Sequence, residues 1–359
     1  ATAWRGQALF PDIAVLRRNP VKEVFYVGLD IHKRTVSYCV KRLDGRIVHE
    51  GVVRSARTDL ESWAKSVPTP WVGAMEATLF TRWIYDTLKP FAQDLKVAHS
   101  AGLSALAAIK NKDDRKSAAT IADLLRANLL PEIAMVSRQT FDLRMRARSR
   151  SFLVRESVRI HNKIAGLLME WGVDFDARRL KGKRYFAALL ARAGVGEDGQ
   201  ELLRSLRAQW ENLRTEQKSL VAKLAEHEHL SQRLERLRTV PGVGEITALT
   251  WAVEIGEPSR FRSIARAQSY CGLTSALDKS GETSKRHGLS KKRNKRLQCA
   301  LIEAAKFGPV HSPLLRKIYD RARSRSHANR ATILVARKLV AWLLAVDRSG
   351  KPFKEKNKN

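Results

Sequence analysis

Alternation of apolar and polar positions begins at Val24, after a segment of little periodicity that ends in an Arg-Arg-Asn-Pro turn. Residues 1–22 therefore read as an extended lead-in. Phe25 to Leu29, Thr35 to Val40 and Arg46 to Val53 have the β-branched, period-two texture of strands, and Asp44-Gly45 supplies a hairpin turn. A helix from Asp59 to Ser66, a buried strand from Trp71 to Met75, a helix from Thr81 to Lys89 and a short strand from Leu95 to His99 follow. Three antiparallel strands followed by alternating helix and strand predict a mixed α/β sheet, of which the RNase H-like order is one arrangement.

Beyond Ala101 the pattern turns helical. Ala118 to Leu130 has helical apolar spacing and stops at Pro131. Between Arg138 and Arg192 there are 14 Lys/Arg against 5 Asp/Glu, mixed with helix-forming apolar residues. From Glu201 to Leu237, steps of three and four connect Leu203, Leu206, Trp210, Leu213, Gln217, Leu220, Leu224, His227, Ser231 and Leu234. That is the a/d seam of a coiled coil between protomers or of a helical hairpin within one chain. A second compact region starts near Thr239, and the polar, basic tail from Lys351 to Asn359 reads as disordered. The predicted organisation is an α/β domain at 23–137, a basic helical and coiled-coil region at 138–237, and a mostly helical domain at 238–350.

Composition narrows the partner. The chain of 359 residues carries 67 Lys+Arg against 36 Asp+Glu, a formal net charge of +31. Such a surface attracts polyanions, and counterion release makes nucleic acid the expected ligand. Cys39, Cys271 and Cys299 are widely spaced, which excludes a disulfide framework and a cysteine-based zinc site. No apolar run spans a membrane and no signal-peptide core opens the sequence, so the expectation is a cytoplasmic, nucleoid-associated protein.

Three acid groups stand where metal chemistry needs them. Asp30 ends the first strand in Gly28-Leu29-Asp30-Ile31-His32-Lys33, Glu76 ends the fourth in Gly73-Ala74-Met75-Glu76-Ala77, and Asp113-Asp114 precede the Ala118 helix. Carboxylates converging from strand ends bind Mg²⁺ or Mn²⁺, which polarise a phosphate and activate its attacking or leaving oxygen. Val240-Pro241-Gly242-Val243-Gly244 between helical segments reads as a helix-hairpin-helix element, in which Gly242 and Gly244 let backbone approach a phosphate; an ordinary helix-helix turn is the alternative. Downstream, Ser280-Gly281 lies among Lys285, Arg286, Lys291, Lys292, Arg293, Lys295 and Arg296. A serine hydroxyl there can attack a phosphodiester while the cations offset the developing charge. Tyr270 is the rival nucleophile, although its apolar neighbours suggest a core position. Arg144, Arg146 and Arg148 on the first basic helix are further candidate contacts to a nucleic-acid backbone.

Together these segments resemble the DEDD transposases of the IS110 family. The resemblance rests on Gly-Leu-Asp-Ile-His-Lys, Met-Glu-Ala, Lys112-Asp113-Asp114-Arg115-Lys116-Ser117-Ala118 with Ile121-Ala122-Asp123-Leu124-Leu125-Arg126, Val-Pro-Gly-Val-Gly, Tyr270-Cys271-Gly272-Leu273, Ser280-Gly281 and Asn294-Lys295-Arg296-Leu297-Gln298 through Ala305. It covers about residues 22 to 350 in the family's order. It implies a RuvC-like domain, a coiled-coil segment and a C-terminal transposase domain. It also implies DNA recombination guided by a structured bridge RNA, donor and target DNA as substrates, Mg²⁺ or Mn²⁺ as cofactor, and a homo-oligomer (dimer or tetramer) whose protomers combine their parts into one site. Three family acids fall on Asp30, Glu76 and Asp114, and the nucleophile falls on Ser280. The fourth acid position is Ser117, and Asp113, one turn earlier, is the residue placed to substitute for it. Two other readings fit the same residues: a RuvC-like nuclease or resolvase that does not use Ser280, and a non-catalytic nucleic-acid-binding protein with a decayed acid site.

Overall fold

The computed structural model describes residues 23–106, 114–280 and 283–355, with the backbone alone described at 114–115, 276–280 and 283–287. The chain divides into two compact units, residues 1–135 and 136–359. In the first, β1 (Phe25–Ile31), β2 (Thr35–Lys41) and β3 (Ile47–Arg54) precede α1 (Arg57–Ser66), β4 (Trp71–Glu76), α2 (Thr81–Leu88), β5 (Asp94–Ala98), α3 (Ser100–Leu106), α4 (Asp114–Arg126) and β6 (Glu132–Ile133). The sheet order is β3-β2-β1-β4-β5-β6. β1, β2 and β3 form an antiparallel meander, and β4 and β5 join it parallel to β1. This mixed sheet is compatible with an RNase H-like domain.

Strand alternation divides the two faces. Val27, Leu29, Ile31, Val36, Trp71, Met75 and Val97 pack with Leu60 and Trp63 of α1 and Ile84 and Leu88 of α2. The opposite face, with Tyr26, Val72, Ala74 and Ala98, packs on Leu103 of α3 and Ile121 and Leu125 of α4. On that second face Gly28 has no side chain for a reason. A Cβ there would lie 2.0 Å from the Ala118 carbonyl oxygen and 2.5 Å from the Ala122 nitrogen, so α4 rests directly on the β1 backbone. The expected helix over 118–130 begins four residues earlier and ends at Arg126, because Asn128 takes a φ of 55° and turns the chain. β6 escaped the sequence pattern because it is too short to show a period.

The second unit contains α5 (Arg138–Glu170), α6 (Lys183–Arg192), α7 (Glu197–Ala225), α8 (Ser231–Arg238), α9 (Glu245–Ile255), α10 (Ile264–Tyr270), β7 (Ser275–Ser280), β8 (Thr283–Leu289), α11 (Lys295–His311), α12 (Pro313–Arg323) and α13 (Ala328–Ser349). α5 and α7 pack antiparallel: Leu203 meets Ile164 and Leu168, Trp210 lies beside His161, and Gln217 Nε2 donates to the Leu153 carbonyl at 3.0 Å. The heptad residues of α7 thus face a helix of their own chain. The seam does not continue to Leu237, since the helix stops at Ala225 and Leu234 belongs to α8, buried in the core formed with α9, α11 and α13. The tail also differs from expectation. Phe353 stacks on Trp342 at 4.5 Å, its amide donates to Thr239 Oγ1 at 2.8 Å, and Glu355 accepts from Ser312 Oγ at 2.8 Å, so residues 351–355 are docked.

A buried carboxylate joins the basic helices to this core. Glu254, 1% exposed at the end of α9, accepts a two-pronged hydrogen bond from Arg148 Nε and Nη2, both at 2.8 Å. Arg144 Nε donates to the Val253 carbonyl at 2.8 Å, and Asn294 Nδ2 donates to Glu254 at 2.9 Å. Burial alone pushes the Glu254 carboxyl up, but the Arg148 hydrogen bonds and charge, with Asn294 and Arg144, outweigh it and hold the carboxyl below its ordinary value.

Two stability experiments follow from these contacts. Gly28→Ala forces a Cβ into the α4 backbone and should destabilise the protein by about 1–3 kcal/mol or more. Gly166→Ala, inside α5 with nothing within 4 Å of the added carbon, should stabilise it by roughly 1 kcal/mol. Denaturant titration of both variants measures the contrast. Glu254→Gln breaks a buried charge pair and should cost about 3–5 kcal/mol at neutral pH. Because the folded carboxyl titrates below the unfolded one, its contribution is complete above roughly pH 4.3 and is lost as pH falls through the folded value. The stability gap between parent and Glu254→Gln, followed by denaturation from pH 7 down to pH 3, should therefore close on acidification. A gap that stays constant would contradict this electrostatic account.

Candidate active site

The parallel register of β1 and β4 sets the acid pair. Gly28 stands opposite Ala74 and Leu29 opposite Met75, so Asp30 and Glu76 occupy the next equivalent positions at the carboxyl ends of both strands. Both belong to the α4-facing side of the sheet, two residues beyond Gly28 and Ala74 respectively. The direction of α4 completes the arrangement. Lys41, opposite Tyr26 at the start of β1, bonds Asp123 at 2.7 Å, and Arg126 Nη1 donates to the Leu43 carbonyl at 3.0 Å. The end of α4 therefore lies over the start of β1, and its first turn, from Asp114 to Ser117, lies toward the acids. Partial positive charge at a helix N-terminus favours carboxylates and phosphate there.

The neighbourhood of the pair is polar and held in place. Asp30 is 14% exposed and lies 3.6 Å from Nε2 of His32, which shares its side of the chain at i+2. His32, Lys33 and Arg34 form the exposed turn into β2, closed by the His32 amide donating to the Thr35 carbonyl at 2.9 Å. The backbone after β4 is fixed twice: Thr81 Oγ1 donates to the Glu76 carbonyl and Ser100 Oγ to the Ala77 carbonyl. His32, Thr81 and Ser100 were not singled out from the sequence, although His32 lay within the Asp30 motif and the i, i+2 spacing was its signal.

Asp30 and Glu76, two carboxylates at the ends of paired strands, offer oxygen donors of the type that hard divalent cations select. The residues present thus fit a Mg²⁺ or Mn²⁺ ion. Among the described residues no three acid, histidine or cysteine side chains gather at one point. The Asp114 side chain and all of Asp113 lie outside the described residues. Ser117 is half-buried on α4, directly before the Ala118 that contacts Gly28, and one turn after Asp114.

Ser280 is the last residue of β7, opposite Thr283, where the β7–β8 hairpin approaches its turn; its side chain and Gly281 lie outside the described residues. The root of this hairpin is clamped. Gln298 Nε2 donates to the Gly272 carbonyl at 2.6 Å, Arg337 Nε to the Leu273 carbonyl at 2.6 Å, and the Ser290 amide to the Thr274 carbonyl at 3.0 Å. Asn294, which caps α11, also receives no freedom: its amide donates to the Tyr270 carbonyl and its side chain to Glu254. Tyr270 donates its hydroxyl to the Glu254 carbonyl at 3.2 Å and packs on Phe261, which is a core role. Cys271 is buried, and desolvation, opposed only by nearby Arg260, pushes its thiol up to about 12.

The predicted nucleic-acid contacts separate into two groups. Arg146, Lys291, Lys292, Lys295 and Arg296 are exposed. Arg144 and Arg148 are instead directed inward, onto the carbonyls of α9 and the Glu254 carboxylate, and Arg293 lies against Gly272 with Nη1 donating to the Ser290 carbonyl. The side chains of Lys285 and Arg286 lie outside the described residues, their backbones pairing across the hairpin with Asp278 and Leu277. Gly242, at φ +81°, is packed onto α11: a Cβ would fall 2.7 Å from the Gly308 backbone. Gly244 is exposed with open space around it, at the N-cap of α9.

Comparison with known proteins finds two family models matched along the chain. A DEDD transposase model of the IS110 type matches residues 27–172, and the model of the transposase IS116/IS110/IS902 family matches residues 234–320. A transposase for insertion sequence element IS1328 of Yersinia enterocolitica is 23% identical over 337 residues, covering 89% of this chain and 96% of that protein. An insertion-sequence transposase of Coxiella burnetii is 23% identical over 295 residues, covering 81% of this chain and 79% of that protein. A pilin gene-inverting protein of Moraxella bovis is 31% identical over 129 residues, 34% of this chain and 39% of its own. With two models of one kind matched over more than half of its length, and with relatives aligned nearly end to end, the chain belongs to the IS110 family of DEDD transposases.

Proposed function

We propose that this protein is a DNA recombinase of an insertion sequence, guided by a structured bridge RNA, that exchanges strands through a covalent Ser280–DNA phosphodiester. The observation that carries the reading is the alignment of Asp30 and Glu76 at the ends of two paired parallel strands, beneath the first turn of α4. Asp30, Glu76 and Asp114 would hold the divalent cation, which when bound supplies positive charge to the scissile phosphate. Lys33 and Arg34 near Asp30 add cations along the approach of a DNA strand. In the covalent step, Ser280 Oγ forms a bond to phosphorus, the bond from phosphorus to one deoxyribose oxygen breaks, and the serine proton is passed on to that oxygen as a hydroxyl. Attack by a hydroxyl of the exchanged strand reverses the step and restores the serine.

The acids belong to the first unit and Ser280 to the second, so the reaction requires both. The family resemblance supports a homo-oligomer in which protomers share these parts, acting on donor and target DNA. A relative that inverts a gene must rejoin the strands it cuts, which favours recombination over simple nuclease action. The helix-hairpin-helix role proposed for α8 and α9 rests on the open N-cap at Gly244. A net charge of +31 supports extensive RNA and DNA backbone contact, recognised by shape as well as charge.

With cognate RNA, DNA and Mg²⁺, the protein should form a DNA adduct that survives denaturation, and Ser280→Ala should abolish it. Persistence of the adduct in that variant would reject the serine assignment. Asp30→Ala and Glu76→Ala should each remove cleavage without lowering the melting temperature, because carboxylates at strand ends serve the site and not the core. Metal-dependent cleavage that survives Ser280→Ala without an adduct would point to a nuclease.

The serine at position 117 gives a separate test. A hydroxyl in place of a carboxylate leaves the donor set one negative charge short, and hard cations depend on that charge. Ser117→Asp should raise Mg²⁺-supported cleavage. If Asp113 substitutes for the missing acid, Asp113→Ala should lower cleavage more in the parent than in Ser117→Asp. Equal cleavage throughout would remove both positions from the metal site.

A further inference from the structure

A cleft of about 340 Å³ opens where α5, α7 and the first turn of α9 meet, and it is lined by Arg150, Arg214, Lys218, Gln217, Glu245 and Ile246. Three cations line it, of which Arg214 and Lys218 are exposed. Arg150 of α5 is half-buried, and its Nε is shut off from solvent with no hydrogen-bond partner. Arg214 of α7 is held by its guanidinium stacking on the Trp210 ring at 4.9 Å. Gln217 is anchored through Nε2 to the Leu153 carbonyl and Ser157 Oγ, which fixes the cleft's floor. α9 presents its N-terminal amides at the rim, where Gly244 leaves the backbone uncovered. Glu245 is the one carboxylate in the lining; among the described residues no ion pair joins it to any of the three cations, and the cleft keeps a net charge of about +2.

A buried guanidinium with an unsatisfied donor is costly unless an anion answers it. Three inward arginines of this unit have such an answer: Arg148 meets Glu254, Arg207 meets Glu211 and the Leu180 carbonyl, and Arg233 meets Asp347. Arg150 has none among the described residues. Desolvation alone holds its guanidinium below its ordinary value, with no neighbouring carboxylate to offset it. The described residues do not supply the missing anion.

We propose that this cleft seats one phosphodiester of the bound nucleic acid, with Arg150 and Arg214 as hydrogen-bonding partners of its oxygens and the α9 N-terminus facing the charge. The proposal rests on the nucleic-acid reading above and extends it to residues that neither the sequence motifs nor the acid site identified. It places the contact on the α5–α7 hairpin and α9 together, so a single strand's backbone is read by two parts of the second unit at once. RNA and DNA share this chemistry, and the experiment separates them.

The test is fluorescence anisotropy with the full-length protein, using a labelled 30-mer duplex DNA and a labelled single-stranded RNA of similar length as probes, across a salt series. The cleft variant is Arg150→Met, Arg214→Gln and Lys218→Gln combined. The control removes three exposed cations of the same two helices, Arg155→Gln, Lys163→Gln and Lys223→Gln. Loss of one seated phosphate should reduce the log–log salt slope by about 0.7–0.9 for the probe that occupies the cleft, with a smaller change in the control. Arg150→Met alone should leave the melting temperature unchanged or raise it, since a half-buried charge without a partner among the described residues is removed. A cleft variant whose slopes equal the parent's, or a control that loses as much, would overturn the proposal. So would a marked drop in melting temperature for Arg150→Met, which would mean that Arg150 already has a structural partner. A parent that binds neither probe rejects the nucleic-acid reading itself, whereas a parent with steep slopes and an indifferent cleft variant rejects the cleft alone.

Discussion

The absence of a side chain at residue 28 governs the first unit. Parallel pairing can bring two strand-end acids level, but it places nothing above them. Because Gly28 presents bare backbone, α4 settles against β1 at the distance of an amide and a carbonyl, and its first turn is brought to the edge where the strands end. Lys41 and Asp123 fix the other end of the helix, so its direction is as constrained as its height. Site geometry here is a consequence of packing, and the packing follows from one missing methyl group.

In the second unit the corresponding anchor is electrostatic. Glu254 gathers groups from α5, α9 and the cap of α11 around one buried carboxylate. Desolvating a carboxylate is unfavourable, and here several donors converge to offset it; removal of any one leaves the others poorly matched. The cap residue Asn294 immediately follows the basic loop after β8, so the same cluster that fastens the long α5 also fixes where the hairpin strand returns to the core. Backbone carbonyls of Gly272 and Leu273 do the equivalent work on the outgoing strand.

The sheet was legible because its signals are local. Asp44-Gly45 marks a turn, alternation marks the strands, and acids at strand ends follow from strand ends. Their shared face was readable in principle from Gly28 to Asp30, yet the approach of α4 was not, since nothing in a sequence says which helix covers which glycine. Long-range pairing defeated the reading of the arginines. Arg144, Arg146 and Arg148 look alike along the chain, but Glu254 lies over a hundred residues away and claims two of them. Gly242 shows the same limit of local pattern: the glycine that a phosphate-binding turn would want is also the glycine that lets a turn lie on α11. The heptad seam was real as a pattern, but a helix break at Ala225 ended it, and period alone does not distinguish a partner chain from a partner helix.

The hairpin that carries Ser280 is a lever of fixed length. β7 and β8 pair mainly with each other, while their root is fastened to α10, α11 and α13. At about 3.3 Å per residue, the six residues of β7 set the backbone of residue 280 roughly 20 Å from that root. On the reading proposed for Ser280, the nucleophile is mounted well away from its own core. The reach of residue 280 is then set by strand length, and an insertion or deletion in β7 and β8 would change that reach before it changed any chemistry.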